Sequence, residues 1–364
     1  MKDLLGLYPQ EITEIVASLG DKPFRARQLL KWIYSKGVSD FDEMTDLSID
    51  FRKRLSASTT ISKLVLEKIT SSGREENLHN TESGSNETTK LLFVLDDGKK
   101  IESVIIPDGK KRTLCVSSQV GCSLGCTFCM TGKMGFVRDL TAAEIVGQVI
   151  AAGKHLSEIE GKGGKDDEEV KISNIVFMGM GEPLLNYDEV VRAYDIISSD
   201  WGLEISWRKI TLSTAGIPDA ILRLGQDRNV NLAVSLNAPD DETRSSIMPI
   251  NRKYPLKALI ETLKNYPLKK RSRITIEYVL LKGINDSQNH AFELSRVVSG
   301  LKVKINLIPF NPYPGSKYER PNPDVISRFQ AILIESNINA MVRKSKGSEI
   351  SAACGQLATG KITA

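Results

Sequence analysis

Four of the chain's five cysteines fall within fifteen residues, Cys115-Val-Ser-Ser-Gln-Val-Gly-Cys122-Ser-Leu-Gly-Cys126-Thr-Phe-Cys129, and the fifth, Cys354, stands ten residues from the C-terminus. Inside that stretch Cys122, Cys126 and Cys129 form C-x3-C-x2-C, with Cys115 seven residues upstream. Structural zinc usually takes four Cys or His ligands, often as two short pairs. No fourth ligand is adjacent here, and the histidines of the sequence are His79, His155 and His290. Iron–sulfur chemistry suits soft thiolates. A [4Fe–4S] cluster held by three cysteines leaves one iron open to a small molecule. A lone cysteine is ordinarily a small buried hydrophobe, but that account is poor for three at this spacing in a glycine-containing loop.

The cysteine stretch opens a region in which strand and helix patterns alternate. Strands are expected at 113–118, 173–178, 208–213, 230–235, 273–279 and 303–308, and helices at 141–156, 187–199, 217–225, 255–265, 286–298 and 323–335. Six βα units predict an α/β fold with a parallel sheet and helices outside. Six is short of the eight of a closed barrel, so an open, partial barrel is expected over residues 113–340. Residues 1–70 read as a small helical accessory domain, with Ile12, Ile15, Val16 and Leu19 at helical spacing and Gly20 as a stop. Residues 71–112 read as a linker, rich in Ser, Glu, Asn and Thr up to residue 90, followed by a β-hairpin. Residues 157–171 read as a charged surface insertion, and 341–364 as a C-terminal segment carrying Cys354.

In parallel βα folds the chemistry gathers at the C-terminal strand ends. The cysteine loop follows the first strand, and Gly179-Met-Gly181-Glu182-Pro183 follows the second. Ser213 ends the third strand, Ser235-Leu236-Asn237 the fourth and Ile308-Pro-Phe-Asn311 the sixth. Glycines let backbone approach a ligand, and a carboxylate such as Glu182 accepts hydrogen bonds from an ammonium group. Each polar residue taken singly is as well explained as a cap or turn residue. Together they ring one mouth of the sheet.

C-x3-C-x2-C with Phe128 before its last cysteine resembles the radical S-adenosylmethionine (SAM) enzymes. The runs Leu114-Cys115-Val-Ser-Ser-Gln-Val-Gly-Cys122, Gly179-Met-Gly-Glu-Pro-Leu-Leu-Asn186, Leu232-Ala-Val-Ser-Leu-Asn237-Ala-Pro and Ala353-Cys354-Gly-Gln-Leu resemble the RlmN/Cfr family of radical SAM RNA adenine methyltransferases, and its RlmN branch in particular. The resemblance covers nearly the whole chain, including Lys22-Pro-Phe-Arg-Ala-Arg-Gln. It implies that Cys122, Cys126 and Cys129 hold a [4Fe–4S] cluster, and that Gly181, Glu182, Ser213, Ser235, Leu236, Asn237 and Asn311 contact SAM. Asn237 stands where many members carry His. It further implies that Cys354 carries a methyl group, that Cys115 resolves it through a transient disulfide, and that Glu102 accepts a proton.

Such an enzyme spends two SAM molecules per turnover and methylates C2 of adenosine in 23S rRNA, at the peptidyl-transferase centre, and in tRNA, just 3′ of the anticodon. C2 lies between two ring nitrogens and has no lone pair, so a carbon radical suits it where a polar attack on SAM does not. Partners implied are these RNAs and an electron donor such as flavodoxin or ferredoxin. Competing readings are a C8-specific methyltransferase of the Cfr type and a non-catalytic iron–sulfur RNA-binding or redox-sensing protein.

The remaining sequence agrees with a cytoplasmic monomer. No basic leader precedes an apolar run at the N-terminus, and no apolar stretch approaches about 18 residues, so no membrane association is expected. Formal net charge is only +4, yet residues 251–280 hold eight basic and two acidic side chains. Such a segment would follow a phosphate backbone or form a solvated face. Arg25, Arg27, Lys31, Arg52, Lys53 and Arg54 would offer a second basic face, and Arg343, Lys344 and Lys346 precede Cys354.

Overall fold

A computed structural model of the chain describes residues 1–72, 87–160 and 171–359. Most of the segment expected as a linker, and most of the 157–171 insertion, lie outside the described residues. The chain begins with β1 (Lys2–Asp3), followed by α1 (Pro9–Ser18), α2 (Phe24–Leu30) and α3 (Ile49–Ser58), and β2 (Thr59–Thr60) returns to pair in parallel with β1. Pro9 opens α1, and the Glu11 carboxylate accepts the Tyr8 N–H at 2.8 Å, satisfying a donor the helix leaves free. Ile12 and Val16 form its buried stripe.

The sequence pattern read residues up to 70 as helical, but β3 (Val65–Ser71) is a strand. It lies at the edge of the main sheet, with a bulge between Leu66 and Lys68. The bulge breaks the period-two alternation, and Leu66 and Ile69, three apart, imitate a helical stripe. β4 (Thr89–Val94) and β5 (Lys100–Asp108) form the expected hairpin, and β5 pairs antiparallel with β6 (Lys111–Cys115).

From β6 onward the sheet is parallel. The cysteine loop carries the small antiparallel pair β7 (Gln119–Gly121) and β8 (Phe136–Asp139), with α4 (Met130–Met134) between them. Then come α5 (Ala142–Glu160), β9 (Asn174–Phe177), α6 (Tyr187–Ser198), β10 (Ile210–Thr214), α7 (Pro218–Asp227) and β11 (Asn231–Ser235). The chain continues with α8 (Asp241–Ile247), α9 (Leu256–Asn265), β12 (Ile274–Leu280), α10 (Gln288–Val297), β13 (Val303–Pro309) and α11 (Pro323–Glu335). A last strand, β14 (Ala340–Val342), adds a seventh parallel member beyond the six expected. Its three residues are too short to show a period. The order β14-β13-β12-β11-β10-β9-β6-β5-β4-β3 makes one ten-stranded sheet, open at both edges.

The central strands are buried on both faces, as Ile-Thr-Ile-Glu-Tyr-Val-Leu of β12 illustrates. One continuous apolar core runs from Leu4, Leu29 and Phe51 to Phe177, Tyr278 and Phe329. The N-terminal segment also docks through polar contacts: Tyr8 Oη donates to Asp195 at 2.8 Å, and Arg192 reaches Glu11 at 2.5 Å. A second, smaller apolar group packs the cysteine loop against the strand ends, through Leu124, Phe128, Ile247, Met248, Phe310 and Tyr318. Among the described residues no helix is long and apolar enough to cross a membrane.

Candidate active site

β6 ends on Cys115, which delivers that thiol to the C-terminal edge of the sheet, and the chain then turns into the cysteine loop. Gly121 allows the turn: its φ is +75°, and a Cβ there would meet the Gly135 carbonyl oxygen at 1.8 Å. The Cys122 N–H donates to that same carbonyl at 2.9 Å, and the Thr127 N–H donates to Ile247 O at 3.0 Å. The loop is therefore tied at its start and its middle.

Cys122, Cys126 and Cys129 line one cavity together with Gly181, Glu182, Ser213, Ser235, Asn237, Asn311 and Cys354. Thus residues expected from separate strand ends do meet. Leu236 does not face the cavity: its side chain is buried in the core, its N–H donates to Glu277 O, and its carbonyl accepts from Arg244 Nε. Gly181, at φ +102°, packs against Gln119, whose Oε1 accepts the Glu182 N–H at 2.8 Å. The Glu182 carboxylate is buried and accepts Leu184 N–H on Oε1 at 3.0 Å and Ala215 N–H on Oε2 at 2.7 Å. Burial raises its pKa, and those two amides oppose the rise. Asn237 takes a left-handed φ of +61°, which Asn tolerates; its Oδ1 accepts Val279 N–H at 2.8 Å.

The donor set fits an iron–sulfur cluster. All three thiols are free, and burial pushes each pKa up, with neighbouring cysteines adding to the rise. A metal must then displace protons to bind. Among the described residues no three Cys, His, Asp or Glu side chains converge on a single ion. A [4Fe–4S] cluster takes one thiolate at each of three irons, which suits thiols spread along a cavity wall. His155 is buried on α5 and His290 caps α10 beside Ser287, so neither lines the cavity; His79 lies outside the described residues. Two buried oxygens on the cavity wall, Asn311 Oδ1 and Glu277 Oε2, have no hydrogen-bond partner among the described residues and stand ready for a ligand.

A second cavity adjoins the first. It is lined by Cys115, Cys354, Arg343, Lys344 and Lys346, with Thr113, Val176 and Ala353 among its other walls. Met178, Ile308, Asn311 and Cys354 line both cavities. Cys354 is exposed and Cys115 buried. Burial pushes the Cys115 thiol up to about 12; the charge of Cys354 adds to this, and Arg343 opposes it.

Glu102 lines neither cavity. It is buried on β5, with Oε1 3.0 Å from Lys90 Nζ and Oε2 accepting the Ala358 N–H at 2.9 Å. Burial raises its pKa, and the Lys90 charge opposes the rise. The carboxylate thus holds the segment that bears Cys354. The Met130 N–H donates to Gly355 O at 2.8 Å, Thr131 Oγ1 to Leu357 O at 2.6 Å and Gln356 Nε2 to Pro312 O at 2.9 Å.

The basic segment 251–280 does not form a single face. Arg252 and Lys253 follow α8 on the cavity side. Lys269, Lys270, Arg271 and Arg273 precede β12 at the opposite end of the sheet, where Lys269 stands over the Trp207 ring. Near the N-terminus Arg25, Arg52 and Arg54 pair with Asp21, Asp42 and Asp50, which spends half of that expected basic face.

Sequence reasoning missed Gln119, Gln148 and Arg244. Gln148 is fully buried and braces the turn after β6, accepting Ser117 N–H at 2.8 Å and donating to Ser117 O at 3.0 Å. A glutamine in an apolar helical stripe was the available signal, as was Glu277, the one acid in an apolar strand.

Residues 2–61 match the ribosomal RNA large subunit methyltransferase N-terminal domain family, and residues 116–294 match the radical SAM superfamily. The dual-specificity RNA methyltransferase RlmN of Geobacter sulfurreducens is 46% identical over all of this chain and 94% of its own length. The chain belongs to the RlmN family. The RlmN of Syntrophobacter fumaroxidans is also 46% identical, over 95% of each chain. A crystal structure of a radical SAM methyltransferase from Sphaerobacter thermophilus superposes with a TM-score of 0.88 at 40% identity, covering 98% of this chain and 99% of that one. The α/β architecture with its mostly parallel sheet is therefore the radical SAM fold, as expected of the RlmN family.

Proposed function

We propose that this chain is a radical SAM RNA methyltransferase that methylates C2 of adenosine in 23S rRNA and tRNA, working in the cytoplasm as a monomer on a six-unit partial barrel with a helical N-terminal accessory domain. The observation that carries this reading is the position of Cys354, exposed on the wall shared by two cavities. One holds the three clustered cysteines and the ring of SAM-type contacts; the other holds Cys115 and three basic side chains.

Cys122, Cys126 and Cys129 would hold a [4Fe–4S] cluster, and Glu182, Ser213, Ser235, Asn237 and Asn311 would hold SAM. When bound, these groups supply a 5′-deoxyadenosyl radical once an external donor such as flavodoxin or ferredoxin provides an electron. Glu182 lines the cavity and is oriented by two backbone amides and the Thr214 side chain, and as a carboxylate it would receive an ammonium group. Cys354, as thiolate, takes a methyl group by nucleophilic displacement from a first SAM. Hydrogen abstraction from that methyl makes Cys354 the bearer of a methylene radical, which joins C2 of the adenine. Arg343, Lys344 and Lys346 would steady the RNA phosphates near an unstacked adenosine; flipping costs roughly a few kcal/mol and is least costly in loops. Glu102 would accept the C2 proton, which requires its contact with Lys90 or Ala358 to loosen. Once the C2 proton is lost, the adduct gives up its unpaired electron to a one-electron acceptor such as oxidised flavodoxin or ferredoxin. Attack of the Cys115 thiolate on the Cys354 sulfur then forms the disulfide and breaks the carbon–sulfur bond, and the released carbon takes up a proton to become the methyl on the base. A two-electron reduction then restores both thiols.

The test is anaerobic reconstitution with iron and sulfide, followed by SAM, reductant and either RNA. The expected products are 5′-deoxyadenosine and 2-methyladenosine. 8-Methyladenosine without 2-methyladenosine overturns the choice of carbon, and a loaded protein that makes neither methylated nucleoside overturns the activity.

A further inference from the structure

Among the described residues Arg244, on α8, is the largest side chain wholly shut off from solvent. Its guanidinium donates from Nε to Leu236 O at 3.0 Å, from Nη1 to Asn251 Oδ1 at 2.8 Å, and from Nη2 to Ala215 O at 2.6 Å and Ser235 O at 3.3 Å. Every one of these acceptors is neutral. Of the two carboxylates on the same helix, Glu242 is exposed, and Asp241 spends its Oδ1 on Asn251 Nδ2 at 2.9 Å and the Leu256 N–H at 2.8 Å. Among the described residues Arg244 forms no salt bridge, and the anionic groups that bear on its charge are Cys126 first and Asp241 second. A buried cation among neutral acceptors is costly unless an anion stands nearby.

The acceptors explain where that anion belongs. Ala215 follows β10 and Ser235 ends β11, and both line the cavity of the three cysteines. The N–H of Ala215 is the one that holds Glu182 Oε2. At the other end of α8, Ile247 O takes the Thr127 N–H from inside the cysteine loop. One short helix therefore ties two SAM-facing strand ends, the Glu182 carboxylate and the loop of cluster ligands. Arg244 is also the cation that bears on Cys126.

We infer that Arg244 is a positioning residue with two effects: its fork fixes the strand ends that receive SAM, and its charge stands behind the iron–sulfur site as a fixed counter-charge that favours the reduced cluster. The inference rests on the reading that Cys122, Cys126 and Cys129 hold a [4Fe–4S] cluster. Reduction adds negative charge, and a positive charge held in a low-dielectric wall stabilises the product of that step more than in water. Arginine is suited to the task because it stays protonated and offers several donors in one plane; lysine keeps the charge and loses the fork.

The experiment uses the full chain, reconstituted anaerobically, with Arg244→Lys and Arg244→Met. Three readouts are taken: iron and sulfide content with the spectrum of the reduced cluster, the midpoint potential by spectroelectrochemical titration, and SAM affinity by calorimetry. Arg244→Met should load a cluster whose potential is more negative than wild type. Arg244→Lys should keep the wild-type potential while SAM binds about tenfold more weakly, the loss expected for charged hydrogen bonds no longer made. A Met variant with wild-type potential overturns the charge effect. Should that variant fail to load, Arg244→Lys decides: wild-type SAM affinity, or a potential displaced from wild type, overturns the inference. A wild-type protein that takes up no cluster refutes instead the iron–sulfur reading on which the inference stands.

Discussion

Replacing Lys90 by Met should loosen the segment that carries Cys354, and the loosening should grow with pH. Lys90 Nζ lies 3.0 Å from Glu102 Oε1, with side-chain exposures of 16% and 5%, and also donates to Ser351 O at 3.3 Å. Glu102 in turn holds the Ala358 N–H at 2.9 Å. The pair thus clasps residues 351 and 358, on either side of Cys354. Breaking a buried pair from one side costs about 3–5 kcal/mol, because a charge is left uncompensated. At the low end this is roughly a hundredfold increase in local opening.

Burial already raises the Glu102 pKa against the opposing pull of Lys90. Without Lys90 the folded state binds the Glu102 proton still more readily. A raised folded-state pKa favours the clasped form below the ordinary carboxylate range, and that support is lost as pH rises through the raised value. Hydrogen exchange of a peptide spanning 350–359, corrected for intrinsic rate, should be near wild type at about pH 5 and roughly a hundredfold faster at about pH 8. The Lys90→Met/Glu102→Gln double variant, which leaves no charge behind, should recover much of the protection. Equal acceleration at both pH values, or a double variant no better than the single one, would refute the clasp.

Cys115→Ala should trap RNA covalently on Cys354, seen as a retarded band on a denaturing gel, whereas Cys354→Ala should give neither adduct nor methylated nucleoside. Gly181→Ala places a Cβ 2.5–2.8 Å from Gln119 at a φ of +102°; with strain of about 1–3 kcal/mol, SAM affinity by calorimetry should fall about tenfold or more while the cluster still loads. Glu182→Gln turns an NH2 toward one of two backbone donors and should weaken SAM by a similar factor. Because burial raises the Glu182 pKa, wild-type affinity should itself decline as pH falls through that raised value and the carboxylate loses the charge that attracts ammonium, above the pH at which an ordinary exposed carboxylate would be protonated.

The parallel strands were legible because each is a short apolar run buried on both faces and bounded by turn residues. β14 was not, since Ala340-Met341-Val342 borrows its conformation from pairing with β13. β3 was misread for a related reason: at the sheet edge its alternation is broken by the bulge, and only pairing with β4 reveals it. In the site, the residue types with distinctive chemistry were legible and the supports were not. Cys115, Glu182 and Asn311 announce themselves at strand ends. Arg244 reads as one basic residue in the polar run Asp240-Asp-Glu-Thr-Arg-Ser-Ser, where a solvated face is the ordinary expectation. Its burial depends on carbonyls supplied by Ala215 and Ser235, up to 29 positions away. Leu236 shows the converse, a contact expected from its motif whose side chain points into the core.

The arrangement also accounts for placing the thiol proposed to carry the methyl on a segment distant in sequence. In the proposed reaction Cys354 must meet SAM, then the adenine, then Cys115. A thiol on the cysteine loop could reach the first partner only with the loop that holds the cluster, and moving that loop would move the iron. The C-terminal segment is fastened at Ser351, Gln356 and Ala358 by elements outside the cysteine loop and at Gly355 and Leu357 by α4 within it, while Cys354 itself remains exposed between the two cavities. With the backbone held, rotation among staggered χ1 wells re-aims the sulfur. The contacts that hold the segment come from α4, β4 and β5 and from the chain after β13, whereas Arg244 on α8 braces the chain at the ends of β10 and β11. The reaction's moving part and its fixed electrostatics are thereby carried by different elements. A perturbation of the clasp should therefore alter methyl transfer and adduct resolution without altering the cluster's spectrum or potential, whereas Arg244→Met should shift the potential.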